Sequence, residues 1–147
     1  MSLALAEARL AGAEGEVPVG AIVVASGQIV GRGRNGRERL GDPTAHAELI
    51  ALGRAARYLG RWRLSGCALY VTLEPCFMCA GALVNARVDR LVFAAKDPKA
   101  GAVGSLADVC RDVRLNHQLE VTGGVLEAEC GELLRDFFRQ RRKKGAT

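Results

Sequence analysis

The stretch CALYVTLEPCFMCAGALVNARVDRLVFAA, residues 67–95, decides the architecture of this chain. Residues 67–73 form an apolar run rich in strand-favouring side chains, residues 76–86 have helical composition, and residues 90–95 repeat the strand pattern. Alternation of strand and helix over so short a span predicts an α/β sandwich with parallel neighbouring strands. Between the first strand and the helix lies Pro75-Cys76-Phe77-Met78-Cys79, which holds the only close pair among the five cysteines at 67, 76, 79, 110 and 130. Two cysteines at this spacing admit three readings: a redox dithiol, half of a structural zinc site, or two ligands of a catalytic metal.

Upstream, residues 17–25, VPVGAIVVA, are nearly continuous in apolar side chains, and the turn pair Ser26-Gly27 leads into a second short run ending near Gly33. A β-hairpin is predicted there. Residues 31–43, GRGRNGRERLGDP, read as a Gly- and Arg-rich loop, and Asp42-Pro43-Thr44 as the start of a helix running to about Tyr58. Residues 2–13 are helical in composition. Downstream come a glycine-containing loop over 96–105, a weaker strand near 119–122, and a final helix. That helix spaces Leu126, Cys130, Leu133, Leu134, Phe137 and Phe138 mostly three and four apart, an apolar stripe for the core. No repeat or linker interrupts the chain.

At 147 residues the chain suits a single domain, residues 1–147, able to bury about two thirds of its unfolded surface without disulfide staples. An apolar share of 49% and a charged share of 25% belong to an ordinary globular protein. Five cysteines with one close pair make a poor disulfide framework and fit a reducing compartment. Glu7 and Arg9 interrupt the first apolar run, no basic region precedes it, and no later run is long enough for a membrane span, so a cytoplasmic protein is expected. The net charge of +5 is concentrated in Arg32, Arg34, Arg37 and Arg39, in Arg54, Arg57, Arg61 and Arg63, and in the tail from Arg139 to Lys144. A solvated surface and a polyanionic partner both explain such clusters.

A four-cysteine zinc site needs a second close pair, which the sequence lacks. The discriminating feature is TAHAEL, residues 44–49, where Glu48 follows His46, one of only two histidines, by two positions. Three protein ligands and an open position make a catalytic zinc arrangement, and His46, Cys76 and Cys79 supply such a set. Cysteines at i and i+3 on one helical turn can grip a single ion, and a helix N-terminus favours their thiolate forms. Residues two apart in mid-helix face opposite ways, so His46 and Glu48 converge only at a helix start, where Asp42-Pro43-Thr44 places them. A carboxylate beside two thiolates would add charge to an anionic ligand set, so Glu48 is expected to hold protons rather than metal. Cys67, Cys110 and Cys130 sit in apolar patterns and are expected in the core, and His117 in a loop or at a strand edge.

H-x-E followed by P-C-x-x-C is the signature of zinc-dependent nucleobase deaminases. With EVPVGAIVV, DPTAHAE, LYVTLEPCFMCAGAL, GSLADV and DFFRQRRK, the chain resembles the bacterial tRNA adenosine deaminases over roughly residues 15–144. The resemblance implies a three-layer α/β/α cytidine-deaminase-like fold with a mixed five-stranded sheet, one Zn2+ ion per subunit and a homodimer. Its implied activity is hydrolytic conversion of adenosine to inosine at the wobble position of a tRNA anticodon stem-loop. Carried onto this sequence, it makes His46, Cys76 and Cys79 the metal ligands and Glu48 the proton shuttle. It also implies that Asn35, Ala47, Pro75 and Asp97 bind the target nucleoside, and that Phe137 and Phe138 approach the anticodon loop. The apolar stripe explains both phenylalanines as core instead. Two other functions stay open: deamination of a free base or nucleoside, and a zinc-stabilised RNA-binding module without chemistry.

Overall fold

Residues 1–145 are described by a computed structural model; residues 146 and 147 of the expected domain lie outside the described residues. In chain order the elements are α1 (Ser2–Ala13), β1 (Gly20–Ala25), β2 (Gln28–Arg34), α2 (Arg37–Leu40), α3 (Ala47–Leu59), β3 (Cys67–Leu73), α4 (Phe77–Asn85), β4 (Arg90–Ala95), β5 (Glu120–Thr122) and α5 (Glu127–Gly145). The expected hairpin is β1–β2. Its turn residues Ser26 and Gly27 both take positive φ, 51° and 76°, the backbone twist that suits a two-residue hairpin loop.

The strands form one mixed sheet in the order β2-β1-β3-β4-β5. β1 pairs antiparallel with β2 and β3, whereas β3–β4 and β4–β5 are parallel. Parallel pairing follows from the crossover through α4, as residues 67–95 predict. Side chains alternate across the sheet. Leu69, Val71, Leu91 and Phe93 pack with Ala47 and Ala51 of α3 and Ala80 and Leu83 of α4. Ala94 points the other way, toward Leu5 of α1 and Cys130 of α5. The result is the three-layer α/β/α sandwich.

Close approach of α3 to β2 explains the glycines of the GRGRN segment. A Cβ on Gly31 or Gly33 would overlap the carbonyl oxygen of Ala51 or Ala47, respectively. α3 therefore rests directly on strand backbone, which fixes the position of its first turn.

Three expectations are corrected. The helix expected from Asp42 begins at Ala47, because Asp42 accepts hydrogen bonds from the Thr44 amide (2.8 Å) and hydroxyl (2.7 Å) and closes a turn instead. Residues 31–43 are not one loop, since β2 continues to Arg34 and the short α2 follows. The stripe on α5 reaches the core only in its first half: Cys130 is buried with Leu126 and Leu133 against it, while Phe138 is 42% exposed. With 19 residues, about 28 Å, α5 outruns β4, whose six residues span about 20 Å. Cys67 and Cys110 are buried as expected, and His117 lies in a loop with Nε2 2.7 Å from the Val88 carbonyl oxygen.

Candidate active site

Two helix starts meet at one end of the sheet. His46 is the N-cap of α3, with extended backbone (φ −76°, ψ 150°), and Glu48 is the second residue of the helix. The break from helical geometry at His46 lets two side chains two positions apart turn toward the same point. Cys76 is likewise the extended N-cap of α4 (φ −72°, ψ 177°), and Cys79 lies in its first turn.

His46 Nδ1 lies 3.6 Å from Cys76 Sγ and 3.4 Å from Cys79 Sγ. A tetrahedral ion with Zn–N of about 2.0–2.1 Å and Zn–S of about 2.3 Å would hold N and S roughly 3.6 Å apart, so both nitrogen–sulfur distances fit zinc. The donor set agrees: one imidazole and two sulfurs, within 4.8 Å of one another, can hold a metal ion. The thiol of Cys76 is lowered to about 3, first by the hydrogen bond from Cys79 and then by His46. Cys79 is raised by that same neighbouring thiolate and by burial. A metal ion takes both sulfurs as thiolates and replaces the proton between them. At His46 the hydrogen bond to Cys76 raises proton affinity, burial works against it, and Glu48 adds to the rise while Arg37 opposes it.

Glu48 is 4% exposed, and burial holds its carboxyl above the usual carboxylate range. Its own backbone amide and the charge of His46 offset this only in part. A cavity of about 200 Å³ opens over these groups and is also lined by Asn35, Ala47 and Asp97. Asn35 is buried and partly committed: Nδ2 donates to the Val17 carbonyl (3.2 Å), and Oδ1 accepts from the Arg37 amide (3.3 Å). One Nδ2 hydrogen and one lone pair remain for a ligand. The Asp97 carboxylate accepts from the amides of Lys99 (3.1 Å) and Ala100 (3.2 Å) in its own loop. Pro75 is fully buried behind Cys76, where its carbonyl accepts from the Ala102 amide (2.8 Å). Phe137 and Phe138 do not line the cavity; their rings meet edge to face, with centroids 5.5 Å apart, on α5.

Two charged residues at this cavity are missing from the sequence-based set. Arg37 was read only as one of a basic cluster, yet it lines the cavity. Glu74, buried at the end of β3, holds the loop that carries Asp97. Its carboxylate accepts from the amides of Asp97 (3.1 Å), Val103 (3.0 Å) and Ser105 (3.1 Å) and from the Ser105 hydroxyl. An acidic residue just before P-C-x-x-C was the available signal.

The chain matches the MafB19-like deaminase family over residues 1–142. It is 51% identical to the tRNA-specific adenosine deaminase of Bacillus subtilis (strain 168), covering 98% of this chain and 89% of that protein. With the protein of the same name from Haemophilus influenzae the identity is 50%, over 98% of this chain and 84% of that one. Among solved structures, one from studies of A-to-I editing by tRNA:A34 deaminases at the wobble position superimposes with a TM-score of 0.88 at 46% identity, covering 91% of this chain and 97% of that chain. The guanine deaminase of Nitrosomonas europaea gives a TM-score of 0.81 at 27% identity, over 92% of this chain and 81% of that one.

Proposed function

The chain belongs to the tRNA-specific adenosine deaminases of the MafB19-like deaminase family, and from that membership we propose that His46, Cys76 and Cys79 hold one zinc ion per subunit, with Glu48 as the proton shuttle. The protein is an enzyme that hydrolyses adenosine to inosine at the wobble position of tRNA. What carries the assignment of roles is the convergence of three metal-binding side chains, His46 and Cys76 at the cavity wall and Cys79 beside them, with a buried carboxylate that the metal does not need. Bound there, zinc acts as a Lewis acid that brings the pKa of water toward neutrality.

Glu48 takes a proton from the attacking water and delivers it to N1 of adenine while the water oxygen bonds to C6. The same carboxylate then takes the proton of the new C6 hydroxyl and passes it to the exocyclic amine, the C6–N6 bond breaks as the C6 carbonyl forms, and ammonia leaves with inosine as the product. Asn35 and Asp97 orient the nucleoside, Ala47 walls the base, and Pro75, buried behind Cys76, supports the ligand rather than the substrate. A nucleotide in an anticodon loop is already partly unstacked, so turning it into the cavity costs less than extracting a paired base. Phe137, Phe138 and the basic tail extend the contact to the loop, and the arginine clusters track phosphate.

We infer a homodimer of single-domain subunits acting in the cytoplasm. The apolar concavity formed by Leu49, Leu52, Ala56, Trp62 and Ala82, with Trp62 63% exposed, is the surface offered for pairing. No helix among the described residues is long and apolar enough to cross a membrane.

Two measurements test the reading. Inosine should form in tRNA and not in free adenosine, with cytidine and guanine as further controls; turnover of a free base or nucleoside alone would overturn the tRNA assignment. Purified protein should hold about one zinc ion per chain, and Cys76→Ala or Cys79→Ala should release it and lower stability, since ligation and folding are coupled. Full metal occupancy in either variant would remove that cysteine from the ligand set.

A further inference from the structure

Arg37 is the one arginine or lysine among the residues lining the cavity. Its guanidinium makes no hydrogen bond or ion pair within the described residues, unlike those of Arg34 and Arg39. Arg34 is held by Glu7 (3.3 Å) and Glu14 (2.8 Å), and Arg39 by Glu14 (3.4 Å). Asp97, across the same cavity, spends its carboxylate on its own loop and forms no ion pair with Arg37.

The backbone beneath this side chain is firmly anchored. Asn35 Oδ1 accepts the Arg37 amide at 3.3 Å. Glu16, only 2% exposed, accepts the amides of Glu38 (3.2 Å) and Arg39 (2.6 Å). Buried acceptors thus occupy three successive N–H groups, which leaves the guanidinium as the donor this segment presents to a ligand. Size decides what meets it. Clefts that enclose a drug-sized ligand measure about 300–1,000 Å³, whereas this cavity measures about 200 Å³. The cavity is of a size to take the base, which leaves the phosphate toward its mouth.

We propose that Arg37 binds the phosphate adjoining the deaminated nucleotide and so determines specificity for a nucleotide within an RNA strand over a free nucleoside. The planar fork of a guanidinium matches two phosphate oxygens, which a lysine ammonium does not. This inference rests on the tRNA reading above and adds the group by which the site tells strand from nucleoside.

The experiment is a chemical double-mutant cycle. Anticodon stem-loop RNAs carry a neutral methylphosphonate at one or the other phosphate flanking the target adenosine. They are tested against wild type, Arg37→Lys and Arg37→Ala, with Kd from direct titration and inosine formation measured separately. Arg37→Ala should raise Kd and KM about 5- to 20-fold, leave kcat within about threefold, and reduce the salt slope by about one. Arg37→Lys should fall between. At one of the two phosphates, the methylphosphonate should cost wild type a similar factor and cost Arg37→Ala nothing more. Losses that add at both phosphates, or wild-type affinity in Arg37→Ala, would overturn the contact. Metal content and thermal midpoint report folding, and Arg37→Gln carries the same cycle if the alanine variant is unstable. Tight binding without inosine in wild type would sink the tRNA reading while the cycle, read from Kd, still decides the phosphate contact.

Discussion

Two glutamates border the same cavity and are almost equally buried, Glu48 at 4% and Glu74 at 2% exposure, yet their surroundings are opposite. Burial works to raise both carboxyls. At Glu74 the Ser105 hydroxyl and three backbone amides outweigh it and hold the carboxyl below its ordinary value. At Glu48 burial prevails, because little beyond its own amide and the nearby charge of His46 works against it. A carboxylate saturated by fixed donors is a strut, whereas a shuttle must take up and release protons and needs unfilled valence. Position in the sequence, one residue after a strand or two into a helix, does not separate the roles. The donors do.

The strongest way to break this contrast is Glu48→Gln. The amide keeps size and shape but cannot carry a proton, so turnover should fall by at least about 10²- to 10⁴-fold. Zinc content and stem-loop affinity should stay at wild-type levels, and the thermal midpoint should not drop, because few fixed hydrogen bonds are lost. Those three quantities and inosine yield, measured on one preparation, separate the possibilities. Loss of zinc would make Glu48 a ligand, and near-normal inosine formation would remove it as the shuttle.

The same contrast marks how far the sequence could be read. The clustering of His46, Cys76 and Cys79, with Glu48 at the same cavity, was legible because metal chemistry restricts residue type and spacing, and the β3–α4–β4 unit because its hydrophobic pattern is local. The Asx turn at Asp42 was not, since Asp-Pro-Thr serves equally as helix start and turn. Nor were the partners of Glu74: Ser105 lies 31 positions away, and nothing in LEPC says which loop will supply its donors. Arg37 was hidden in the opposite manner. Four arginines close together look alike in sequence, yet Arg34 and Arg39 are paired with Glu7 and Glu14 of α1 and the chain after it, and of the other two only Arg37 lines the cavity.

Glu74→Gln should produce the reverse phenotype to Glu48→Gln. Its amide nitrogen would face amide donors in a buried site, so stability should fall by about 2–4 kcal/mol in denaturant titration. Turnover should fall less than in Glu48→Gln and chiefly through KM, because the Asp97 loop loosens while the shuttle is intact. The pH dependence has a definite sign. With its folded value below the ordinary 4.5, Glu74 stabilises fully above that pH and loses the contribution as pH falls through the folded value. The stability gap between wild type and Glu74→Gln should therefore close in acid. Acid release of metal affects both proteins alike and cancels in the difference. A gap that widens as pH falls, or a tenfold lower kcat at unchanged KM, would place Glu74 among the proton-transfer groups and dissolve the contrast.

Ser105→Ala sharpens the comparison at its weakest point. The hydroxyl is one of the four donors to Glu74, and the residue is exposed, so water can enter where the side chain is removed. The backbone amide of residue 105 keeps its bond to the carboxylate. A loss of about 0.5–1.5 kcal/mol is expected, at the lower end for a hydrogen bond to a charged acceptor. Turnover should stay within about twofold of wild type, because three amides still fix the loop on which Asp97 sits. In Glu74→Gln, the further change Ser105→Ala should cost almost nothing, since the acceptor it served has already been replaced. Full additivity of the two losses in denaturant titration would mean that Ser105 stabilises the loop independently of Glu74, and the carboxylate would then be one support of that loop among several rather than the group on which it is built.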